Sequence, residues 1–210
     1  MEFFTTVLSF FQKGGFFMYP IALVGVLTLA IAIERWRFFS RLERENGRLW
    51  KEVGPLLASG DFAAVGRLTA DSETAIGRIL GNGIAQARTD KRRSEIEIAT
   101  EEGLMEVLPA IEKRTHYLGT FSNASVLFGL LGTVLGLISA FAALGAADPA
   151  EKADLLSAAI SEAMNCTAFG LMVAIPALLL HSYLQSRTTE MIDKLEAVCS
   201  KFVSAVCNRS

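Results

Sequence analysis

TFSNASVLFGLLGTVLGLISAFAALG, residues Thr120–Gly145, carries no charged side chain and lies inside a charge-free run of 33 residues between Arg114 and Asp148. A helix needs roughly 20 mostly apolar residues to cross a hydrocarbon core, so this stretch reads as a membrane span. Two further runs qualify: 20 uncharged residues separate Lys13 from Glu34, and 24 separate Glu162 from Arg187. No other window does. The sequence therefore predicts an all-α membrane protein with transmembrane helices at 15–34, 121–146 and 160–184. The first run is not expected to be a cleaved signal peptide. It has no basic n-region, and a charged cluster and a large polar segment follow it directly.

Within lipid, helices gain nothing by hiding apolar surface from one another, so close contact depends on small residues and a few hydrogen bonds. In the second span Ser122, Ser125, Gly129, Gly132, Thr133, Gly136 and Ala140 recur at steps of three and four, with Leu127, Leu131, Leu135 and Ile138 opposite. The third span has a similar stripe of Ala163, Thr167, Gly170, Ala174, Ala177 and His181. Pro176 is expected to kink that span where neighbours re-satisfy the freed carbonyl. Packing alone accounts for the glycines. It accounts less well for Thr133 and Thr167, since a hydroxyl can be satisfied by its own helix.

Glu162 is the one carboxylate adjoining a span interior. An ionisable group there is costly and suggests function; the plainer role is a charged cap favouring the helix N-terminus. A single acid at one end cannot relay protons through a core of roughly 30 Å. If protons cross, another acid must come from another chain.

Composition excludes much else. The chain of 210 residues is 51% hydrophobic with a mean hydropathy of +0.39, and its net charge of −2 gives no footing for nucleic acid. Cys166, Cys199 and Cys207 form no CxxC pair, and with only two histidines neither a disulfide framework nor a zinc site is expected. No cofactor is expected. No paired-carboxylate, Ser/His/Asp or phosphate-loop pattern points to an enzyme. A secondary transporter is disfavoured by the lack of an internal repeat and of an intramembrane charge pair. His116 and His181 fall near membrane edges, where interfacial placement is the ordinary reading.

Of 20 Lys and Arg residues, 14 lie in 34–118 and four after 186. Three spans put these segments on one side, and basic residues favour the cytoplasm. The expected order is an outer interfacial amphipathic segment (1–14), the first span, a cytoplasmic helical loop (35–118), the second span, a periplasmic loop (147–159), the third span and a cytoplasmic helical tail (185–210). Phe3, Phe4, Val7, Leu8 and Phe11 give the first segment its helical apolar spacing. In the loop, Leu42, Leu49, Val53 and Leu56 line one side of a helix, and Ser59 or Asp61 is expected to cap the next. From about Glu73 the pattern is helical and charged, and is expected to run into the second span as one long helix. Ile192, Leu195, Cys199, Phe202 and Val206 make a packing stripe in the tail.

The runs GGFFMYPIALVGVLTLAIAIERWRFF, FGLLGTVLGLISAF and ISEAMNCTAFGLMVAIPALLLHSYL, with their G-L-x-G-T-V-x-G and E-A-x-x-x-T-A-x-G-L-x-x-A-I-P cores, resemble the MotA/TolQ/ExbB proton-channel family. Three spans with an outer N-terminus look like its ExbB and TolQ branch. The resemblance covers the whole chain and is least distinctive in the cytoplasmic loop. It implies a homo-oligomeric, pentameric ring in a bacterial inner membrane, whose second and third spans line a pore. Inside it would sit a dimer of a single-span partner similar to ExbD or TolR, with a membrane aspartate as proton carrier and a TonB-like protein beyond. Thr133 and Thr167 would line the pore and Glu162 would sit at its outer entrance. Asn165 and Cys166 precede Thr167 where small or apolar residues are more usual, and Asn165 would either tune pore polarity or pack. Gly129, Gly132, Gly136, Gly170, Ala174 and Pro176 would serve helix packing. A non-conducting scaffold is the main alternative. Whether TonB-type import, Tol-type envelope maintenance or motility is served, and whether the ion is proton or sodium, stays open.

Overall fold

The structure is a computed structural model that describes residues 14–70, 72–89, 92–145 and 148–207. The amphipathic segment expected at the N-terminus falls, but for Gly14, outside the described residues. Those residues form six helices: α1 Met18–Ser59, α2 Phe62–Ala70, α3 Ala75–Thr89, α4 Arg93–Glu112, α5 Thr115–Leu144 and α6 Lys152–Cys207. Three helical stretches are long and apolar enough to cross a membrane, one within Met18–Ser59, one within Arg93–Leu144 and one within Lys152–Cys207. The described residues are all-helical, and the three apolar stretches are those of a multi-pass membrane protein.

The ends of the helices follow local chemistry. Gly60 stops α1 with a positive φ of 83°, and the amides of Gly60 and Asp61 both donate to the Leu56 carbonyl, at 2.9 and 3.0 Å. Asp61 then starts α2, its Oδ1 accepting the Ala64 amide at 3.0 Å. Of the two expected caps it is Asp61 that acts; Ser59 donates back to the Leu56 carbonyl. The expected continuous helix from Glu73 into the second span is not formed. The chain breaks between α3 and α4, and again at Lys113–Arg114, where Arg114 adopts a left-handed φ of 66°. One residue in that conformation points the next amides away from the preceding turn, so the i→i−4 ladder cannot continue through it. Helix α6 starts at Lys152, inside the segment expected as an outer loop, after Asp148 Oδ1 accepts the Ala150 amide at 3.1 Å.

The chain divides into two compact units. The first takes the described residues up to Ile33 with Arg114–Tyr183. Its contacts are those of helices in lipid: Met18, Ile21 and Leu118 are buried, while Leu127, Val134, Ile138, Met172, Ile175 and Leu179 stay exposed.

The second unit takes Glu34–Lys113 and the residues from Leu184 on. Two polar side chains organise it. Arg35, only 1% exposed, donates to the carbonyls of Ala110 (3.2 Å) and Ile111 at the end of α4, and its guanidinium lies over the rings of Phe38 and Phe39. It thus meets the negative end of that helix with a cation. Asn46 Oδ1 accepts the Ile76 amide at 3.1 Å, satisfying a first-turn donor of α3 from 30 residues away. Leu195, Cys199, Phe202 and Val206 are buried and Ile192 is half-buried. Burial pushes the Cys199 thiol up to about 11. On the surface, Glu43, Arg187, Glu190 and Lys194 close a ring of four ion pairs at 2.8–3.2 Å. Lys194 draws the Glu190 carboxyl below its usual range, and Glu190 raises Lys194 in turn.

Candidate ion-pathway site

Spacing by threes and fours puts the small residues of α5 and α6 on facing stripes, and the absence of side chains sets how near the helices come. A Cβ on Gly170 would lie 2.7 Å from the Ser125 carbonyl oxygen and 3.2 Å from Gly129 Cα. A Cβ on Gly129 would lie 3.2 Å from Thr167 Cα. The two backbones therefore touch at Gly129 and Gly170. Gly132 faces the Cys166 thiol, and a Cβ on Gly136 would meet Ala163 Cβ at 3.5 Å. The buried Ala174 offers its carbonyl to the Ser122 hydroxyl, which donates across the interface at 2.8 Å. Pro176, expected at a packing face, is exposed.

Beside this crossing the structure brings Thr133 and Thr167 together, hydroxyl to hydroxyl. Both also reach carbonyls: Thr133 Oγ1 can donate to Gly129 (3.1 Å) or Ala163 (3.3 Å), and Thr167 Oγ1 to Gly129 (3.0 Å). Two protons thus face more acceptors than they can satisfy at once. Both threonines are half-buried, so the pair forms a polar spot at the open edge of the small-residue seam.

Glu162 and Asn165 are not part of that spot. Five residues at 100° each turn Glu162 about 140° around α6 from Thr167. Its Oε1 rests against Gly15, where the chain turns into α1 with a positive φ of 74°. Asn165 is half-buried, and its amide makes no hydrogen bond among the described residues. Sequence reasoning missed Gly15, although a Gly-Gly pair just ahead of a helical apolar run is a turn signal. Among the described residues no group of three His, Cys, Asp or Glu side chains could hold a metal ion.

Three membrane-length helical stretches, two of them meeting along a seam of small residues, define a polytopic membrane protein. The chain belongs to the MotA/TolQ/ExbB proton channel family, whose model matches residues 71–197, a range that includes Thr133, Glu162 and Thr167. It is 34% identical over 200 residues to a putative biopolymer transport protein ExbB-like 1 of Synechocystis, covering 93% of this chain and 77% of that one. It is 29% identical to a putative ExbB homolog of Methanothermobacter thermautotrophicus, covering 94% of this chain and 70% of that one. A shorter match, 38% over 80 residues, joins 38% of the chain to 35% of the Tol-Pal system protein TolQ of Haemophilus influenzae. These relatives put the chain in the ExbB/TolQ branch.

Proposed function

We propose that the chain is the ring subunit of an inner-membrane motor of the ExbB/TolQ type, driven by an ion-motive force. In this reading five copies form a ring. Helices α5 and α6 line its pore, around two helices of a single-span partner similar to ExbD or TolR. The partner supplies a membrane aspartate. One observation carries the reading: Thr133 and Thr167 form a half-open hydroxyl pair on spans with no carboxylate between Arg114 and Asp148 or between Glu162 and Arg187. A pair that can donate or accept solvates an acid in either protonation state without a fixed charge to trap it.

The ion enters past Glu162 and Asn165 and reaches the partner's acid beside the Thr133–Thr167 belt. Neutralising that acid removes a charge held in a low-dielectric seam, and the partner helices turn relative to the ring before the proton leaves. The work passes through the partner's outer domain, toward a TonB-like protein, in TonB-dependent import; a Tol-type envelope or motility motor would use the same ring. The N-terminus is periplasmic and the polar unit cytoplasmic, an orientation supported by 18 of 20 basic residues falling in 34–118 and after 186.

The test replaces Thr167→Val and Glu162→Gln in the source cells and reads motor output at parental expression. Full output from both sinks the pore assignment. Purification with the co-encoded partner and mass measurement of the intact complex checks the ring. A second reading, a non-conducting scaffold, is favoured by the bonds both hydroxyls already make to backbone carbonyls within the chain. It requires Thr133→Ala and Thr167→Ala to leave output unchanged.

A further inference from the structure

Helix α1 keeps one side exposed from Leu23 to Arg48, and the chemistry of that side changes once. Leu23, Val26, Ala30 and Ile33 follow one another at steps of three and four, and all are exposed. The same steps lead on to Arg37, Arg41, Arg44 and Arg48, which are also exposed. At 100° per residue all of these positions fall within an arc of about 80°. An aliphatic stripe of the kind that faces lipid thus becomes, on the same side of an unbroken helix, a row of guanidinium groups. Trp36, 61% exposed, stands at the change, and an indole suits the level of the lipid headgroups. Of the five arginines in α1 only Arg35 turns inward. Arg37, Arg44 and Arg48 form no ion pair among the described residues. Arg41 gives its Nε to Glu45 at 2.7 Å and keeps its terminal nitrogens for another anion. Both partners of that pair are exposed, so water screens it. Glu34, Glu45 and Glu52 stand beside the row and not in it.

We propose that this row binds the headgroups of anionic phospholipids, through Arg37 and Arg41 with Arg44 within reach. Orientation in a membrane requires basic residues after a span but no particular face. A row that continues a lipid-exposed side meets headgroups first. Depth follows from a rise of 1.5 Å per residue: Arg37 lies about 2 Å beyond Trp36, Arg41 about 8 Å, Arg44 about 12 Å and Arg48 about 18 Å. The headgroup layer on one side of a bilayer is roughly 5–8 Å thick. Arg37 and Arg41 therefore lie in that layer, Arg44 reaches back to its edge on a flexible stem, and Arg48 lies beyond it. A guanidinium grips a phosphate through two parallel N–H donors. Net negative charge on the lipid favours it over a zwitterionic one by about fivefold for each arginine near the surface. The inference needs α1 to span the membrane and does not depend on the motor reading.

The experiment uses the full chain in vesicles of phosphatidylcholine containing a minority of phosphatidylglycerol. Trp50→Phe leaves Trp36 as the only indole. Bromines high on the chains of one lipid or the other quench it, and the ratio of the two efficiencies reads the lipid preference beside the row. We expect the Trp50→Phe chain to prefer phosphatidylglycerol by about fivefold or more. Arg37→Gln and Arg41→Gln should each lower that preference about two- to fivefold, and Arg48→Gln should leave it unchanged. Arg37→Lys, which keeps the charge, should retain most of it and so separates a lost headgroup contact from a disturbed helix. Concentrated salt should weaken the preference. No preference in the Trp50→Phe chain overturns the site, as does a preference that neither glutamine substitution lowers. An equal fall with Arg48→Gln also overturns it, since attraction would then be long-range and not a contact at headgroup depth. An unmoved preference joined to loss of self-association, read as the mass of the solubilised chain, would assign the row to a contact between copies and overturn the lipid reading.

Discussion

Replacing Gly170 with alanine inserts a methyl group where two backbones touch. The new carbon would stand 2.7 Å from the Ser125 carbonyl oxygen, whereas a carbon and a carbonyl oxygen in contact sit about 3.3 Å apart or more. Neither listener at this contact is a flexible side chain: the neighbours are the Ser125 carbonyl and Gly129 Cα. The helices must therefore part by roughly 0.6 Å. That separation stretches the Thr167-to-Gly129 bond from 3.0 Å past the useful limit of about 3.2 Å, and lengthens the Thr133-to-Ala163 bond, which is already 3.3 Å. Overpacking costs about 1–3 kcal/mol, and each interhelical bond lost in a membrane about 0.6 kcal/mol. Alanine's better helix propensity returns up to about 1 kcal/mol. The net expectation is a loss of about 1–3 kcal/mol. The assay is unfolding of the purified chain in mild-detergent micelles titrated with SDS, followed by circular dichroism. Gly47→Ala is the control. Nothing lies within 4 Å of a Cβ there, so it should gain up to about 1 kcal/mol. A Gly170→Ala midpoint at or above the parent's would refute the close crossing.

Asn46→Ala should destabilise the second unit by about 1–3 kcal/mol, because the buried Ile76 amide loses its acceptor; urea-driven loss of protection at Ile76, read by hydrogen exchange, checks it. Glu43→Gln removes two of the four ion pairs in the surface ring, at a cost under about 1 kcal/mol that vanishes in high salt. A salt-independent cost would mean that the ring acts by packing. For Cys199, the unfolded thiol ionises near 9.0 and the folded one near about 11. Between those values the unfolded chain has released a proton that the folded chain retains, so stability falls as pH rises through that window. Cys199→Ala should flatten that part of the stability-against-pH curve relative to the parent.

The parts legible in the sequence were those with a local period. The stripe Ser122, Ser125, Gly129 and Gly132 is buried as its spacing implies, and so are Gly170, Ala174 and Ala177. A hydrophobic stripe needs only the helical repeat. What was not legible depends on what arrives from elsewhere. Of the expected face Leu42, Leu49, Val53 and Leu56 only Val53 is buried and the three leucines are half-buried, while Asn46 and Leu57, outside that face, are buried. Asn46 goes inside because the start of α3 needs an acceptor, a demand that no spacing within α1 can reveal. Arg35 likewise looks like the first basic residue past a span until the end of α4 meets it. The break at Arg114 had no glycine to announce it. At the candidate site, Thr133 and Thr167 could be nominated from their stripes. That their hydroxyls meet, and that the Glu162 carboxylate lies beside Gly15, required three dimensions.

The hydroxyl pair is amphoteric without ever being charged. With two protons and several lone pairs shared among Thr133, Thr167 and the carbonyls of Gly129 and Ala163, rotation about two C–O bonds reverses the dipole offered at the open edge while the heavy atoms stay in place. An acidic residue there would titrate and favour one sign of visitor; a threonine pair answers to either, and its response is set by whatever stands opposite it, at any pH.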